Sequence, residues 1–452
     1  MHVGAVMVFE GPPPHYDEFL EQVESRLHLV PRYRQKLAFP RFEMGRPMWV
    51  DDPNFNLEYH VRHTALPKPG SVDQLRALAA RIFSQRLDRS KPLWETWLVQ
   101  GLEDNRFGLI SKTHHSMIDG VAGVDLASVL FDLSPVPSKV DPEPWTPHPE
   151  PSDAELIADG VKGVARRPFS LVGKAVGSVQ NPGRTVSSVR ESAEAIGEVL
   201  WAGLNPAPDV PLNTAIGPHR RLTNVPASLD DFKVVKRAFG GTVNDVVLTV
   251  VAGAMRRWLH SRGVRTEGME LRALVPMSIR SEDEMSAGGN RIAAMRGPLP
   301  VYVDDPVERL RVVREAMGGV KESKQALGAE VIAGLQDFAP PTLLAQASRL
   351  NFSTRLFNLI VTNVPGPQFP LYLLGRELEE LIPVAFLPEN HALAIAIMSY
   401  NGTVDFGLLA DYDAMADVDF VALAIRESLE ELLEAARTAA PEPVDAPAPT
   451  RA

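Results

Sequence analysis

The chain of 452 residues contains no cysteine. This absence excludes a disulfide scaffold, a cysteine-ligated zinc site, an iron–sulfur cluster and a thiol nucleophile. The chain also has no excess of positive charge, because 46 lysines and arginines are outnumbered by 57 acidic residues and the net charge is −11. A nucleic-acid-binding protein needs a basic face to displace counterions from phosphates, so we expect no nucleic-acid partner.

Long hydrophobic runs are also missing. A helix needs about 18 or more consecutive apolar residues to cross a bilayer, and the best run here, Val243 to Trp258, is interrupted by charged and amide side chains. The amino-terminal residues lack the positively charged segment followed by an apolar segment that marks a signal peptide. We therefore predict no transmembrane segment.

The composition that is present, 45% hydrophobic and 23% charged, is typical of folded domains with proper cores. Helical and strand patterns alternate along the chain. Ser71 and Gln74 have the spacing of a capping box, which predicts the start of a helix. A later strand pattern begins at Phe107 and runs directly into His114 and His115.

A proline-rich segment divides the chain. Between residues 134 and 151 proline occurs seven times, a density that neither a helix nor a central strand tolerates. We predict an amino-terminal subdomain over residues 1–133, a proline-rich linker and helical crossover over 134–211, a carboxy-terminal subdomain over 212–437 and a disordered tail over 438–452. The predicted fold class is α/β (α+β), with a mixed central sheet flanked by helices in each subdomain.

The strongest signal for chemistry is the segment HHSMIDG at residues 114–120. It places an imidazole at the end of a strand, and an imidazole can remove a proton near neutral pH. Three other interpretations are open from the residues alone. The two histidines are ordinary core or surface residues, or they bind a metal together with Asp119, or Asp119 and Gly120 only form a turn.

Other segments accompany this motif. The pattern His-His-x-x-x-Asp-Gly after a strand resembles the signature of the coenzyme A-dependent acyltransferase superfamily, which includes chloramphenicol acetyltransferase and peptide-synthetase condensation domains. Further segments are similar to its bacterial wax ester synthase/acyl-CoA:diacylglycerol acyltransferase branch, in the same order along the chain: Met1 to Gly4, Asp88 to Trp94, Asn244 to Leu248, Gly289-Asn290 and Asn363 to Pro367. The resemblance implies two chloramphenicol acetyltransferase-like subdomains.

The resemblance also implies a reaction and its residues. His115 is expected to be the general base that takes the proton of an acceptor hydroxyl, so that the alkoxide attacks the acyl-CoA thioester and expels coenzyme A. Asp119, the second catalytic residue, is expected to brace the site, with Arg280 as a candidate partner. His114 and Gly120 support the site. We expect no acyl-enzyme, metal or cofactor, which agrees with the absence of cysteine and of a Gly-x-Ser-x-Gly elbow.

Asn244 and Asp245 begin a predicted helix. Thr242 and Asp245 have the spacing of a capping box, which gives Asp245 a structural explanation. For Asn244 two explanations stay open. Asn244 is only part of the first turn of the helix, or it assists an oxyanion, because the start of a helix can face a developing negative charge.

Two segments are candidates for substrate binding. The segment at residues 92–94 either packs in the core or lines an acyl channel. The segment at residues 363–366 is a turn that the resemblance places at the border of the site. Their residues are Pro92, Leu93, Trp94, Asn363, Pro365 and Gly366.

We expect acyl-CoA and diacylglycerol as substrates and triacylglycerol as product. The alternatives are a long-chain alcohol as acceptor, a carrier protein as acyl donor, and a lipid-binding or droplet-coating protein without activity. Because diacylglycerol and long-chain alcohols reside in bilayers, we expect a cytoplasmic protein in peripheral contact with the inner face of the plasma membrane or with lipid droplets.

The segment from residue 161 to 190 contains no acidic residue and has an apolar helical stripe that includes Leu171, Val172 and Val176. Such a basic amphipathic segment either docks on a lipid surface or packs on the protein as an ordinary helix. Its cations are Lys162, Arg166, Arg167, Lys174, Arg184 and Arg190.

The beginning of the chain departs from the family pattern. The resemblance implies a segment with a Ser-Pro-x-Asp element before Met1. We expect either that the start of translation lies upstream of Met1 or that this element is lacking.

Overall fold

The computed structural model describes residues 1–39, 47–118, 129–152, 155, 205–278, 292–322 and 353–439. Within these residues, two six-stranded sheets with flanking helices form the two halves of the molecule, and a third sheet has two strands. This arrangement confirms the predicted α/β (α+β) class.

The elements are numbered in chain order. The strands are β1 (His2–Phe9), β2 (Gln35–Ala38), β3 (Met48–Asp51), β4 (Val61–Ala65), β5 (Trp94–Gln100), β6 (Phe107–His114), β7 (Arg220–Ser228), β8 (Leu271–Ser278), β9 (Ile292–Leu299), β10 (Leu359–Pro365), β11 (Tyr372–Leu373), β12 (Arg376–Val384), β13 (Leu393–Tyr400) and β14 (Thr403–Asp411). The helices are α1 (Tyr16–Arg26), α2 (Leu57–His60), α3 (Val72–Ser84), α4 (His115–Ile118), α5 (Leu229–Phe239), α6 (Val243–Ser261), α7 (Pro306–Glu322) and α8 (Val418–Ala439).

The first sheet has the strand order β11-β12-β1-β6-β5-β4, and β1 is antiparallel to both of its neighbours. Successive side chains of a strand point to opposite faces. Met7 accordingly packs in the cluster that contains Phe19 of α1, whereas Val6 packs in the cluster that contains Leu75 of α3. The capping box predicted from Ser71 and Gln74 is present at the start of α3.

The second sheet has the order β7-β14-β13-β10-β8-β9, in which β10 runs parallel to β13 and β8. Helix α6 packs in the core of this half, where Leu248, Val251 and Trp258 are each 0% exposed. A helix with apolar residues on nearly all sides must be buried on nearly all sides. The best hydrophobic run of the sequence is therefore a core helix of the carboxy-terminal half.

Residues 372–384 correct one part of the predicted domain boundaries. They fall within the predicted carboxy-terminal subdomain, residues 212–437, but as β11 and β12 they belong to the first sheet. The physical reason is their pairing with β1, in which Gly4 faces Val384 and Val6 faces Ile382. Both Ile382 and Val384 are buried in the same cluster as Val6. The other predicted boundaries stay predictions.

The proline-rich segment lies along the amino-terminal half. Residues 139–152 form neither helix nor strand. The ring of Trp145 lies 5.1 Å from the Arg34 guanidinium, and Nδ1 of His148 lies 2.6 Å from a carboxylate oxygen of Asp51. Outside the described residues lie residues 156–204 of the predicted crossover, which include the basic segment from 161 to 190, together with Gly289-Asn290 and residues 440–452. Residues 438 and 439, predicted as the start of a disordered tail, belong to helix α8.

No single helix among the described residues has the length and the hydropathy needed to cross a membrane. The bent pair α5 and α6 meets the criterion only when both helices are counted together.

Candidate active site

His114 and His115 lie where β6 ends and the short helix α4 begins. The backbone N–H of His114 donates to the carbonyl of Leu93 at 2.9 Å, and that of His115 donates to the carbonyl of Met1 at 3.0 Å. Backbone hydrogen bonds on both sides therefore hold the strand end between β1 and the residue that precedes β5. The predicted position of the two histidines, at the end of a strand, is confirmed.

The ring of His114 forms hydrogen bonds with its neighbour Ser116. Its Nδ1 accepts the backbone N–H of Ser116 at 3.2 Å and lies 2.8 Å from the Ser116 hydroxyl. Because a backbone N–H can only donate, Nδ1 carries no proton in this arrangement. Burial and nearby positive charge lower the pKa of His114 to about 4. His114 is therefore neutral at pH 7, with its remaining proton on Nε2.

His115 is half-buried. Its ring meets the ring of Phe386 edge to face, with centroids 5.6 Å apart and an interplanar angle of 67°. Phe386 follows β12 and packs against the cluster that contains Ile360 of β10. Sequence reasoning did not identify Phe386, because a single phenylalanine after a strand belongs to no motif.

A buried ion pair lies beneath the strand end. Lys112 is 0% exposed, and its Nζ donates to Oε1 of Glu95 on β5 and to the carbonyls of Ile82 and Gln85, each at 2.8 Å. Burial lowers the pKa of Lys112, and the Glu95 charge opposes that effect. Arg62 lies 3.7 Å from the other carboxylate oxygen of Glu95. The amine therefore also binds the end of α3, where the carbonyl of Ile82 accepts the backbone N–H of the capping residue Gln85 as well.

The carboxy-terminal half contributes two neutral amides that meet. Nδ2 of Asn363, near the end of β10, donates to Oδ1 of Asn244, in the first turn of α6, at 3.2 Å. The capping box of Thr242 and Asp245 is present, which confirms the structural explanation of Asp245. An amide in the first turn of a helix lies in the positive part of the helix dipole, where it can stabilise a negative charge.

Gly366 lies against the neighbouring strand. A Cβ atom at this position would come 2.3 Å from the carbonyl oxygen of Ser399, so a side chain does not fit without movement of the backbone. Its N–H donates to the Ser399 hydroxyl at 3.3 Å. Pro365 is exposed beside it. The contacts of Gly366 are therefore with β13, and a role of this turn in binding substrate stays a prediction.

Pro92, Leu93 and Trp94 are buried behind the histidines. Trp94 is 1% exposed, its Nε1–H donates to the carbonyl of Tyr33 at 2.8 Å, and its ring stacks on His60 at 4.7 Å. These contacts match the packing interpretation. The link to the site runs through the backbone, since the carbonyl of Leu93 holds His114.

The structure therefore brings together Leu93 with His114, and Asn244 with Asn363. Asp119, Gly120 and Arg280 lie outside the described residues. In the part of the chain that the structure describes, no group of three or more histidine or acidic side chains has the geometry to hold a metal ion.

Comparisons with known proteins give a consistent result. A family model described as the wax ester synthase/diacylglycerol acyltransferase catalytic domain matches residues 1–247, and a second, described as the WS/DGAT C-terminal domain, matches residues 288–433. A protein of Mycobacterium tuberculosis named as a probable diacylglycerol O-acyltransferase is 34% identical over 433 residues, which are 95% of this chain and 91% of that protein.

Solved structures give the same result for the fold. The wax ester synthase/diacylglycerol acyltransferase from Marinobacter aquaeolei VT8 aligns with a TM-score of 0.67 and 26% identity over 97% of this chain and 95% of that one. The trichothecene 15-O-acetyltransferase of Fusarium sporotrichioides aligns with a TM-score of 0.60 and 13% identity over 95% and 90% of the two chains. At that identity the second match shows the fold alone.

Proposed function

The chain belongs to the wax ester synthase/diacylglycerol acyltransferase family and is an acyltransferase, and we propose that it moves a long-chain acyl group from acyl-CoA to the free hydroxyl of diacylglycerol. The product is triacylglycerol. The name of the mycobacterial relative supports diacylglycerol as acceptor. Wax ester synthesis from a long-chain alcohol is the second candidate, and the name of the Marinobacter relative, which includes both activities, supports it.

The observation that carries the mechanism is the position of His115. Its backbone is fixed at the end of β6, and its half-buried ring contacts Phe386, which packs against the cluster that contains Ile360 of the second sheet. In the proposed reaction, His115 removes the proton of the acceptor hydroxyl while the oxygen attacks the thioester carbon. The tetrahedral intermediate then collapses, the carbon–sulfur bond breaks, and the imidazolium returns its proton to the coenzyme A thiolate. No acyl-enzyme forms, and no cofactor takes part.

Asn244 and Asn363 are the proposed source of oxyanion stabilisation. When Nδ2 of Asn363 donates to Oδ1 of Asn244, the Nδ2 group of Asn244 keeps its own donors for another acceptor. Preorganised neutral donors of this kind stabilise charge that develops on the carbonyl oxygen. In this proposal Asp119 braces the loop after His115 and performs no chemistry.

Contact with a lipid surface is also part of the proposal, because the acceptor resides there. The basic segment from residue 161 to 190 is the proposed contact in the cytoplasm, at the plasma membrane or at lipid droplets. Flotation with anionic vesicles tests it. The variant Arg166→Glu/Arg167→Glu/Lys174→Glu is expected to stay in the unbound fraction, and unchanged flotation would show that this segment is not the contact.

The release of coenzyme A thiol from palmitoyl-CoA tests the reaction. We expect thiol release that depends on diacylglycerol, with hexadecanol as the comparison acceptor. His115→Ala is expected to lower kcat about 10²–10⁴-fold, the usual contribution of a positioned general base. His15→Ala is the matched control, since His15 is exposed and precedes α1, beyond the opposite end of β1.

Two results would contradict the proposal. Undiminished turnover by His115→Ala would exclude this histidine as the base. A rate with hexadecanol far above the rate with diacylglycerol would assign the protein to wax ester synthesis instead.

A further inference from the structure

The loop between α3 and β5 carries three cations within six residues, Arg86, Arg89 and Lys91. Arg86 and Arg89 are exposed, and Lys91 is half-buried. Within the part of the chain that the structure describes, none of the three forms an ion pair with a carboxylate. The Arg89 guanidinium lies 5.1 Å from the ring of Phe39, and Nζ of Lys91 lies 4.7 Å from the ring of Tyr59.

Both ends of this loop are attached to the strand that leads to the histidines. At the beginning of the loop, the carbonyl of Gln85 accepts Nζ of Lys112 at 2.8 Å. At its end, the carbonyl of Leu93 accepts the backbone N–H of His114 at 2.9 Å. Lys112 and His114 are two residues apart on β6, so the loop starts and ends beside the candidate active site.

The middle of the loop has a defined turn. A carboxylate oxygen of Asp88 accepts the backbone N–H of Ser90 at 2.9 Å and the Ser90 hydroxyl at 2.8 Å. Asp88 is the one acidic residue between residues 85 and 93, and these bonds direct it into the turn. The charge of Arg89 is also close enough to His114 to contribute to the lowered pKa of that imidazole.

We propose that Arg86, Arg89 and Lys91 bind the phosphate groups of the coenzyme A part of the donor. The proposal rests on the proposed function, which makes acyl-CoA a substrate. Its phosphates carry several negative charges, and guanidinium groups bind phosphate through charge-assisted, often bidentate, hydrogen bonds. A cationic loop anchored beside the catalytic histidine suits an anion whose thioester end must reach that histidine. The same cations would also attract a lipid phosphate, so the experiment separates the two sources.

The test compares two acyl donors that differ in phosphate. Palmitoyl-CoA has the phosphates, and S-palmitoyl pantetheine has none. Arg86→Gln/Arg89→Gln is expected to raise KM for palmitoyl-CoA about tenfold or more, with kcat nearly unchanged and with KM for the pantetheine thioester unchanged. The matched control is Arg81→Gln/Arg237→Gln, which removes two exposed cations on α3 and α5 and is expected to leave both KM values unchanged.

Calorimetric titration with free coenzyme A makes the test independent of turnover. Loss of coenzyme A binding in Arg86→Gln/Arg89→Gln would support the loop as the phosphate site even if no acyl transfer to diacylglycerol were found. The binding site and the proposed acceptor are therefore tested independently. An equal change of KM for both donors, or no change for either, would overturn the inference. It would also be overturned if the variant lost flotation with phosphatidylglycerol vesicles while it bound coenzyme A normally.

Discussion

Lys112, near the end of β6, and the core residues of helix α6 are both deeply buried, but their surroundings differ. Beneath the end of β6, Lys112 is surrounded by Glu95 and two backbone carbonyls. Around α6, residues such as Leu248 and Trp258 contact aliphatic side chains of the core. Hydrogen bonds have direction and apolar contacts have none. The first region therefore fixes the position of the histidine proposed as the base, and the second supplies stability to the half that contains Asn244 and Asn363.

The largest expected effect comes from removing one partner of the buried ion pair. Lys112→Met leaves the Glu95 carboxylate buried without its closest cation, so we expect the free energy of unfolding to fall by about 3–5 kcal/mol. Urea denaturation followed by circular dichroism measures the change. The double variant Lys112→Met/Glu95→Gln is expected to recover most of the loss, because the buried carboxylate is gone and Arg62, its other cation, is 34% exposed. If the free energy of unfolding of Lys112→Met lies within about 1 kcal/mol of that of the wild type, the ion pair does not stabilise the end of β6.

The apolar surroundings of α6 are tested by removing a core side chain. Leu248→Ala removes a fully buried side chain from α6 and is expected to cost about 2–5 kcal/mol through lost burial and the cavity that remains. Leu423→Ala on α8 is the matched control, since that leucine is 48% exposed and its loss is expected to cost about 0.5 kcal/mol or less. Urea denaturation under the same conditions compares the two. Equal losses in the two leucine variants would break the contrast between the regions.

One buried carboxyl in the carboxy-terminal half makes stability depend on pH. Burial raises the pKa of Asp405 on β14 to about 7, although Asn224 donates to both of its oxygens. The folded protein thus holds this proton more tightly than the unfolded chain. Its stabilising contribution is complete below about pH 4 and is lost as the pH rises through about 7.

Asp405→Asn tests this dependence. The variant is expected to be more stable than the wild type at pH 8, by on the order of 3 kcal/mol, and to lose that advantage near pH 4. Thermal or urea unfolding of both proteins between pH 4 and 8 measures the difference. A constant difference over that range would mean that Asp405 does not titrate there.

Several parts of the site could be predicted because local sequence determines them. The strand that ends at His114 and the capping box of Thr242 and Asp245 at the start of α6 follow from residue periodicity and from side-chain oxygens at fixed spacing. Each of these features depends on residues that are close together in the chain.

The parts that could not be predicted depend on residues far apart in the chain. Periodicity shows which residues of β12 share a face, but it does not show that β12 pairs with β1. A lysine in a strand usually indicates an exposed face, so Lys112 gives no sign of its buried pair with Glu95. Phe386 reaches His115 only because β12 crosses into the first sheet.

The smallest expected effect concerns Asn244 and Asn363, the two amides of the carboxy-terminal half that meet each other. Asn244→Ala and Asn363→Ala are each expected to lower kcat by about tenfold or less, since a neutral hydrogen bond contributes about 0.5–1.5 kcal/mol. If the Asn363 amide acts only by orienting Asn244, the double variant loses no more than Asn244→Ala alone. Thiol release measures the four proteins of this cycle, with urea midpoints as the control for folding. Fully additive losses would mean that the two amides act independently, and a shared role in oxyanion stabilisation would have to be abandoned.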